Sequence, residues 1–208
     1  MKKLYIIGAG GYAKSVLDSL SQYLYDFQGF IDDYKNGSHL GYPILGKNLD
    51  IIDDATDCRF FIAIGDNKKR AYWYNQLKEH EFKLINVIDS SAIVSNSAKL
   101  GEGCFIGKMA IVNAMVTIGN NCIINTKALV EHGVTLDNHI NISTSTVING
   151  DVHIQNGSFI GSSSVVNGQL TIGKETMVGS GAVVISDVKD YQTVVGVPAR
   201  VIKERKNG

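Results

Sequence analysis

The chain has 208 residues, enough for two small domains, and its 20 basic side chains are balanced by 20 acidic ones. Such a balance leaves no polybasic footprint for nucleic acid or an anionic membrane. No apolar run reaches membrane-spanning length, and the start, Met1-Lys2-Lys3-Leu4-Tyr5-Ile6-Ile7-Gly8, lacks the apolar stretch of a signal peptide, so the expected compartment is the cytoplasm.

Residues 1–88 read as an α/β domain. Lys3–Ile7 is a buried strand, followed by Gly8-Ala9-Gly10-Gly11-Tyr12-Ala13 and a helical stretch from Lys14 to Tyr25 with apolar Val16, Leu17, Leu20 and Leu24. A strand Gly29–Ile31 ends in Asp32-Asp33, and a strand Phe60–Ile64 ends in Gly65-Asp66-Asn67. A helix near Lys69–His80 and a strand Lys83–Ile88 complete the unit. Strand–helix alternation predicts a parallel sheet, about half of a doubly wound dinucleotide fold. Gly8-x-Gly10-x-x-Ala13 lies between strand and helix, with acids some twenty residues later, as a phosphate-cradling loop requires. The simpler reading is a tight strand–helix turn. A full NAD site, and with it an oxidoreductase, is disfavoured because no second mononucleotide half exists.

Gly10, Gly11, Tyr12, Asp32, Asp33, Gly65, Asn67 and Arg70 fall at the carboxyl ends of the parallel strands, where ligands of such sheets bind.

Residues 89–208 follow another rule. From Val94 to Val184 every sixth residue is aliphatic, without interruption. A period of six fits neither a helix nor an ordinary strand; it predicts a parallel β-helix with three flat faces. At three hexads per coil this gives about five coils, each rising roughly 4.8 Å. Cys104 and Cys122 lie 18 residues apart, one coil above the other at an inward position. They read as core residues, Cys58 is isolated, and neither disulfide nor metal site is expected. The residue after each aliphatic is usually Gly, Asn or Asp, types that tolerate left-handed backbone at a corner.

Function is expected where this pattern breaks. Between Gly101 and Gly179 the corner exceptions are Glu131, Ser143 and Gln155. Glu131 is the charged one, and His132 follows it. The column through His132 continues with Gly150 and Gly168, which leaves room for a substrate beside the imidazole. A second column, Thr126, Thr144, Ser162 and Ser180, is small and polar, suited to an extended ligand that bonds to main-chain groups. A group titrating near neutrality suits removal of an acceptor proton, with Glu131 to orient the ring and a backbone N–H near Gly150 as oxyanion donor. His139 and His153 read as solvated, and His39 and His80 as unpartnered.

Ile7-Gly8-Ala9-Gly10-Gly11, Phe30-Ile31-Asp32-Asp33, Phe61-Ile62-Ala63-Ile64-Gly65-Asp66-Asn67, Val130-Glu131-His132 and Gly196-Val197-Pro198-Ala199-Arg200 together resemble the bacterial sugar acetyltransferases. Within these, the chain looks closer to the sialic acid O-acetyltransferases (NeuD) than to the related amino-sugar N-acetyltransferases (PglD). The amino-sugar branch carries an acid directly after the catalytic histidine and a second histidine nine residues on; here those positions are Gly133 and Asn141. The resemblance implies a left-handed winding, a homotrimer and acetyl-CoA as co-substrate. It also implies an α/β domain that holds a sugar or nucleotide-sugar. The leading expectation is O-acetylation of sialic acid or its nucleotide-activated form, with His132 and Glu131 catalytic. Asn141, Gly150, Ser162, Ser180 and Arg200 are the expected acetyl-CoA contacts. Two alternatives accompany it: N-acetylation of a nucleotide-linked 4-amino-4,6-dideoxy sugar, and a catalytically silent nucleotide-sugar-binding partner of a sialic acid synthase. After the last coil, Pro198 is expected to fix a capping turn. The basic residues Arg200, Lys203, Arg205 and Lys206 then either reach the CoA phosphates or form a solvated tail.

Overall fold

The computed structural model describes residues 1–21, 24–52 and 57–205. The α/β unit runs β1 (Lys2–Ile7), α1 (Gly11–Ser19), β2 (Tyr25–Ile31), β3 (Ser38–His39), β4 (Tyr42–Gly46), β5 (Cys58–Ile62), α2 (Asn67–Glu79) and β6 (Lys83–Leu84). Its sheet has the order β3-β4-β2-β1-β5-β6, parallel except for the short β3–β4 hairpin at one edge. Leu4, Ile6 and Phe30 pack on one side with Ala13 and Val16 of α1; Ile7, Ile31 and Phe60 pack on the other with Trp73 and Leu77 of α2.

Three expectations change here. Helix α1 stops at Ser19, where Leu20 turns extended (φ −76°, ψ 130°), and Tyr25 belongs to β2, drawn into register with Lys2 of β1. The β3–β4 hairpin is additional, its few residues too short to carry a periodic signal. The expected strand Lys83–Ile88 divides: β6 closes the α/β sheet, whereas Val87–Ile88 pairs with Phe105–Ile106 as the first solenoid strand. The change of architecture therefore falls near residue 86, two residues before the position read from the sequence.

The solenoid has three faces. The first carries the strands Val87–Ile88, Phe105–Ile106, Ile123–Ile124, Asn141–Ile142, Phe159–Ile160 and Met177–Val178. The second runs from Ile93–Val94 to Val183–Val184 in six strands, and the third from Lys99–Leu100 to Thr171–Ile172 in five. Each strand pairs in parallel with the residue 18 later, Phe105 with Ile123 and Leu129 with Val147. The six-residue aliphatic ladder fills the interior, where Ile106, Ile124, Ile142 and Ile160 are fully buried. Burying each such side chain contributes about 1.5–3 kcal/mol. Cys104 and Cys122 lie in this core as expected.

The corners differ from expectation. Left-handed backbone occurs three residues after each ladder aliphatic from Leu100 to Val178, not one: Met109 (φ 56°), Asn121 (57°), Gly133 (68°), Asp151 (59°) and Gln169 (64°) are examples. The position immediately after the aliphatic favours glycine for another reason. A Cβ on Gly107 would fall 2.9 Å from the Thr126 amide nitrogen of the next coil. Close approach between coils, rather than backbone strain, selects small residues there.

Beyond the last coil, Gln192–Val195 extends the first face and Arg200–Glu204 pairs with it antiparallel, Val194 opposite Val201. The tail is thus an exposed edge strand as well as a cap, and Lys206 lies outside the described residues. No helix among the described residues is long and apolar enough to cross a membrane.

Candidate active site

His132 stands exposed on the corner between the second and third faces. Its ring lies directly over Gly150, and Cε1 and Nδ1 occupy the space that a side chain at 150 would need. The gap expected beside the histidine is therefore filled by the imidazole itself. Glycine at 150 seats the ring rather than leaving substrate space. Gly168, one coil further, would meet the Gly150 carbonyl oxygen at 3.1 Å. The Gly150 carbonyl accepts from the Gln169 N–H at 2.9 Å, while the Gly150 N–H has no acceptor among the described residues.

Glu131 does not orient the imidazole. Its Oε2 accepts from Asn113 Nδ2 at 2.9 Å and from the His132 backbone N–H at 3.4 Å. The carboxylate thus secures the backbone on which His132 is mounted, and among the described residues no hydrogen bond joins it to the ring.

The other candidates lie elsewhere in the prism. Ser162 and Ser180, with Thr126 and Thr144, line the corner between the first and second faces; their hydroxyls make no hydrogen bond among the described residues. Asn141 sits on the first face, buried, with Ser143 Oγ 3.5 Å from its Oδ1. Arg200 is exposed at the start of the edge strand, its Nη1 on the Ala199 carbonyl. Within one chain the six-stranded second face separates His132 from the serine column.

That second face holds a signal the sequence reading missed. The residue before each ladder aliphatic points outward, and here the column is Ile93, Ile111, Leu129, Val147, Val165 and Val183. On the third face the equivalent column is Lys99, Thr117, Thr135, His153 and Thr171. One face is aliphatic and the other polar.

The α/β domain packs on the first face through Phe105 and Ile123. It carries a cavity of about 600 Å³ at the carboxyl ends of β1, β2 and β5, bounded by Gly10, Gly11, Asp33, Gly65 and Tyr34 among others. Gly8 has φ +95° and a Cβ there would sit 2.8 Å from Ile64, so the turn itself demands glycine at that position. A Cβ on Gly10, Gly11 or Gly65 meets nothing within 4 Å, and the backbone at these positions is open to a ligand. Asp32 is committed to the loop: its carboxylate accepts from the N–H groups of Ala9 at 2.7 Å, Tyr34 at 3.0 Å and Lys35 at 2.9 Å. Burial opposes its charge, but these donors and the Lys35 ammonium prevail and hold its pKa below the ordinary carboxylate value. Tyr12 packs edge-to-face with Phe105, 5.4 Å between centroids, and its buried hydroxyl has no hydrogen-bond partner among the described residues. Burial pushes that phenol far above its usual pKa.

Two expected substrate residues prove to be structural. Arg70 is 1% exposed, and its guanidinium donates to the carbonyls of Asn121 (3.1 Å), His139 (3.0 Å), Ile64 (3.2 Å) and Gly65 (3.1 Å) and to Asn67 Oδ1 (2.9 Å). Asn67 Nδ2 in turn donates to the carbonyls of Gly157 (2.9 Å) and Ser158 (3.0 Å). These side chains fasten α2 to the corner between the third and first faces, so nothing of Arg70 remains for a sugar. His139 belongs to this junction and is not the solvated residue expected. Asn121 Nδ2 donates to its Nδ1 at 2.9 Å, and burial, reinforced by the Arg70 charge, lowers its pKa to about 4. His153 does sit at the surface, 3.0 Å from Asp137.

Comparison with known proteins follows this division. Residues 3–77 match the PglD N-terminal domain family. The whole chain resembles a point variant of perosamine N-acetyltransferase from Caulobacter crescentus, solved with CoA and GDP-perosamine. The two share 33% identity over 98% of both chains, with a TM-score of 0.93. It also resembles the acetyltransferase domain of PglB from Neisseria gonorrhoeae, solved with acetyl coenzyme A, at 32% identity over 97% of this chain and 99% of that one, TM-score 0.90. An uncharacterised protein of Acanthamoeba polyphaga mimivirus is 33% identical over 105 residues, half of this chain but 21% of that protein's length. The chain belongs to the PglD-like family of sugar acetyltransferases, CoA-dependent enzymes that join an α/β domain to a left-handed β-helix.

Proposed function

We propose that this enzyme transfers an acetyl group from acetyl-CoA to the amino group of a nucleotide-linked amino sugar, with His132 as the general base. The observation that carries the proposal is the exposed imidazole seated on Gly150, whose N–H has no acceptor among the described residues. His132 takes a proton from the acceptor as it attacks the thioester carbon, and returns one to the departing thiolate. In this reading the Gly150 N–H donates to the carbonyl oxygen as it gains charge. The amine acceptor is favoured by the similar enzyme solved with GDP-perosamine, and the cavity beside Gly10 offers the space a nucleotide needs. Transfer to a sialic acid hydroxyl is the second reading, favoured by Gly133 and Asn141 in place of the acid and histidine expected of the amino-sugar branch.

The working form we propose is a homotrimer. The aliphatic second face needs cover, and it is bounded on one side by the His132 corner and on the other by the Ser162–Ser180 corner. Packing second faces of neighbouring chains together would set the base of one chain beside the serine column of the next. It would also let the acceptor held by one α/β domain reach a histidine it cannot meet in its own chain, because the domain sits on the opposite face. Asn141 and Arg200 then remain candidates for the thioester and for the nucleotide end of acetyl-CoA. No nucleic-acid or membrane partner is proposed.

Thiol release from acetyl-CoA with a panel of nucleotide-linked 4-amino sugars, free sialic acid and its nucleotide-activated form tests the reading. Turnover confined to the sialic acids selects the second reading, and no turnover with any acceptor overturns both.

A further inference from the structure

We infer that Tyr34 is the stacking platform for the acceptor's nucleobase and Lys69, whose ammonium sits over that ring, the cation for its phosphates. The inference rests on the nucleotide-sugar reading above. Tyr34 lies on the wall of the 600 Å³ cavity, yet the residue is 77% exposed. Its backbone, by contrast, is fixed. The Tyr34 N–H donates to Asp32 at 3.0 Å, and the next residue, Lys35, donates through its own N–H to the same carboxylate and through Nζ to the Ala9 carbonyl at 2.6 Å. A free aromatic face on a rigid stem is what a base-stacking residue requires, since little order must be imposed on binding.

Lys69 enters from the opposite wall, on the first turn of α2, and its ammonium sits 5.3 Å from the Tyr34 ring centroid. A cation over an exposed ring is held weakly. A phosphate oxygen attracts the same ammonium more strongly. A nucleoside diphosphate entering past Gly10 therefore draws Lys69 from the ring, and the released face receives the base. The exchange couples base and phosphate recognition: a phosphate that holds Lys69 frees the ring face it covers. Because a stacked ring accepts every base, Tyr34 contributes affinity rather than a choice among bases.

Calorimetric titration of the full-length protein with UDP, GDP and the corresponding nucleosides tests this. For Tyr34→Ala the nucleoside diphosphate Kd should rise about tenfold or more, whereas Tyr34→Phe should bind as the parent does and CoA affinity should not change in either. For Lys69→Met the diphosphate should lose its advantage over the nucleoside, and the salt dependence of its binding should flatten. If the parent binds UDP or GDP and Tyr34→Ala binds it within twofold, the inference is wrong and the nucleotide-sugar reading stands. If the parent binds neither nucleoside diphosphate, the reading falls, and the inference with it.

Discussion

The imidazole of His132 rests on Gly150, eighteen residues later and one coil on, so closely that even a methyl group at 150 would overlap the ring. Neither residue has a reason to be special in a bare six-residue repeat. Together they place one titratable group at a defined height on one corner of the prism.

Replacing His132 with Ala should lower acetyl transfer at least about a hundredfold, the usual worth of a positioned general base. The thermal midpoint should stay close to that of the parent, because the side chain is outside the aliphatic ladder. Activity within a few-fold of the parent would remove His132 from the mechanism.

The loop glycines should separate into two kinds. Gly8→Ala puts a Cβ against Ile64 in left-handed backbone and should destabilise the α/β domain. A Cβ at Gly10 meets nothing within 4 Å, so the fold should tolerate Gly10→Val while acceptor KM rises and CoA affinity is kept. Loss of CoA binding in Gly10→Val, with acceptor binding intact, would reverse the assignment of the two sites.

Arg70→Met should be costly although it touches no proposed ligand. It leaves the carbonyls of Asn121 and His139 without their donor in a buried junction. A loss of about 2–6 kcal/mol is expected, about 1–3 kcal/mol for each carbonyl left unpaired, which for a chain of this size is a drop in Tm of about 4 °C or more. Faster proteolysis between the two architectures should accompany it. An unchanged midpoint by calorimetry would mean that the junction is replaceable.

A charge on the aliphatic second face should act through assembly. Val147→Glu leaves the ladder residue Ile148 untouched, so circular dichroism should match the parent. Light scattering should then report monomers, and transfer should fall with the loss of the neighbouring chain. A variant that remains trimeric at micromolar concentration would place the interface elsewhere.

His139 should make stability depend on acid. Its ring takes a proton at a pKa of about 4 when folded and near 6.5 when unfolded, so between these values the unfolded chain binds more protons. Stability is therefore fully expressed above about pH 6.5 and declines as the pH falls toward 4. His139→Gln should flatten the melting temperature across that window, and a slope equal to the parent's would show that other groups govern it.

Much of this was legible in the chain itself. A six-residue aliphatic period admits few closed structures, so Val94 through Val184 determined the three-faced solenoid, its coil length and the interior place of Cys104 and Cys122. The Gly8–Gly10 spacing between strand and helix likewise placed the loop that borders the cavity, and the broken corner at Glu131 drew attention to His132. Local periodicity reports which way a side chain points, and these features are all local. The tertiary structure decided what each side chain meets. Arg70 and Asn67 look like substrate residues in the sequence, but contacts with residues 51 to 91 positions away turn them into the junction between domains. His139 is neutral for the same reason. Glu131 neighbours His132 in the chain but spends its carboxylate one coil back, on Asn113. A prism also has three corners, and only the closed fold shows that His132 and Ser162 stand on different ones, with the aliphatic second face between them.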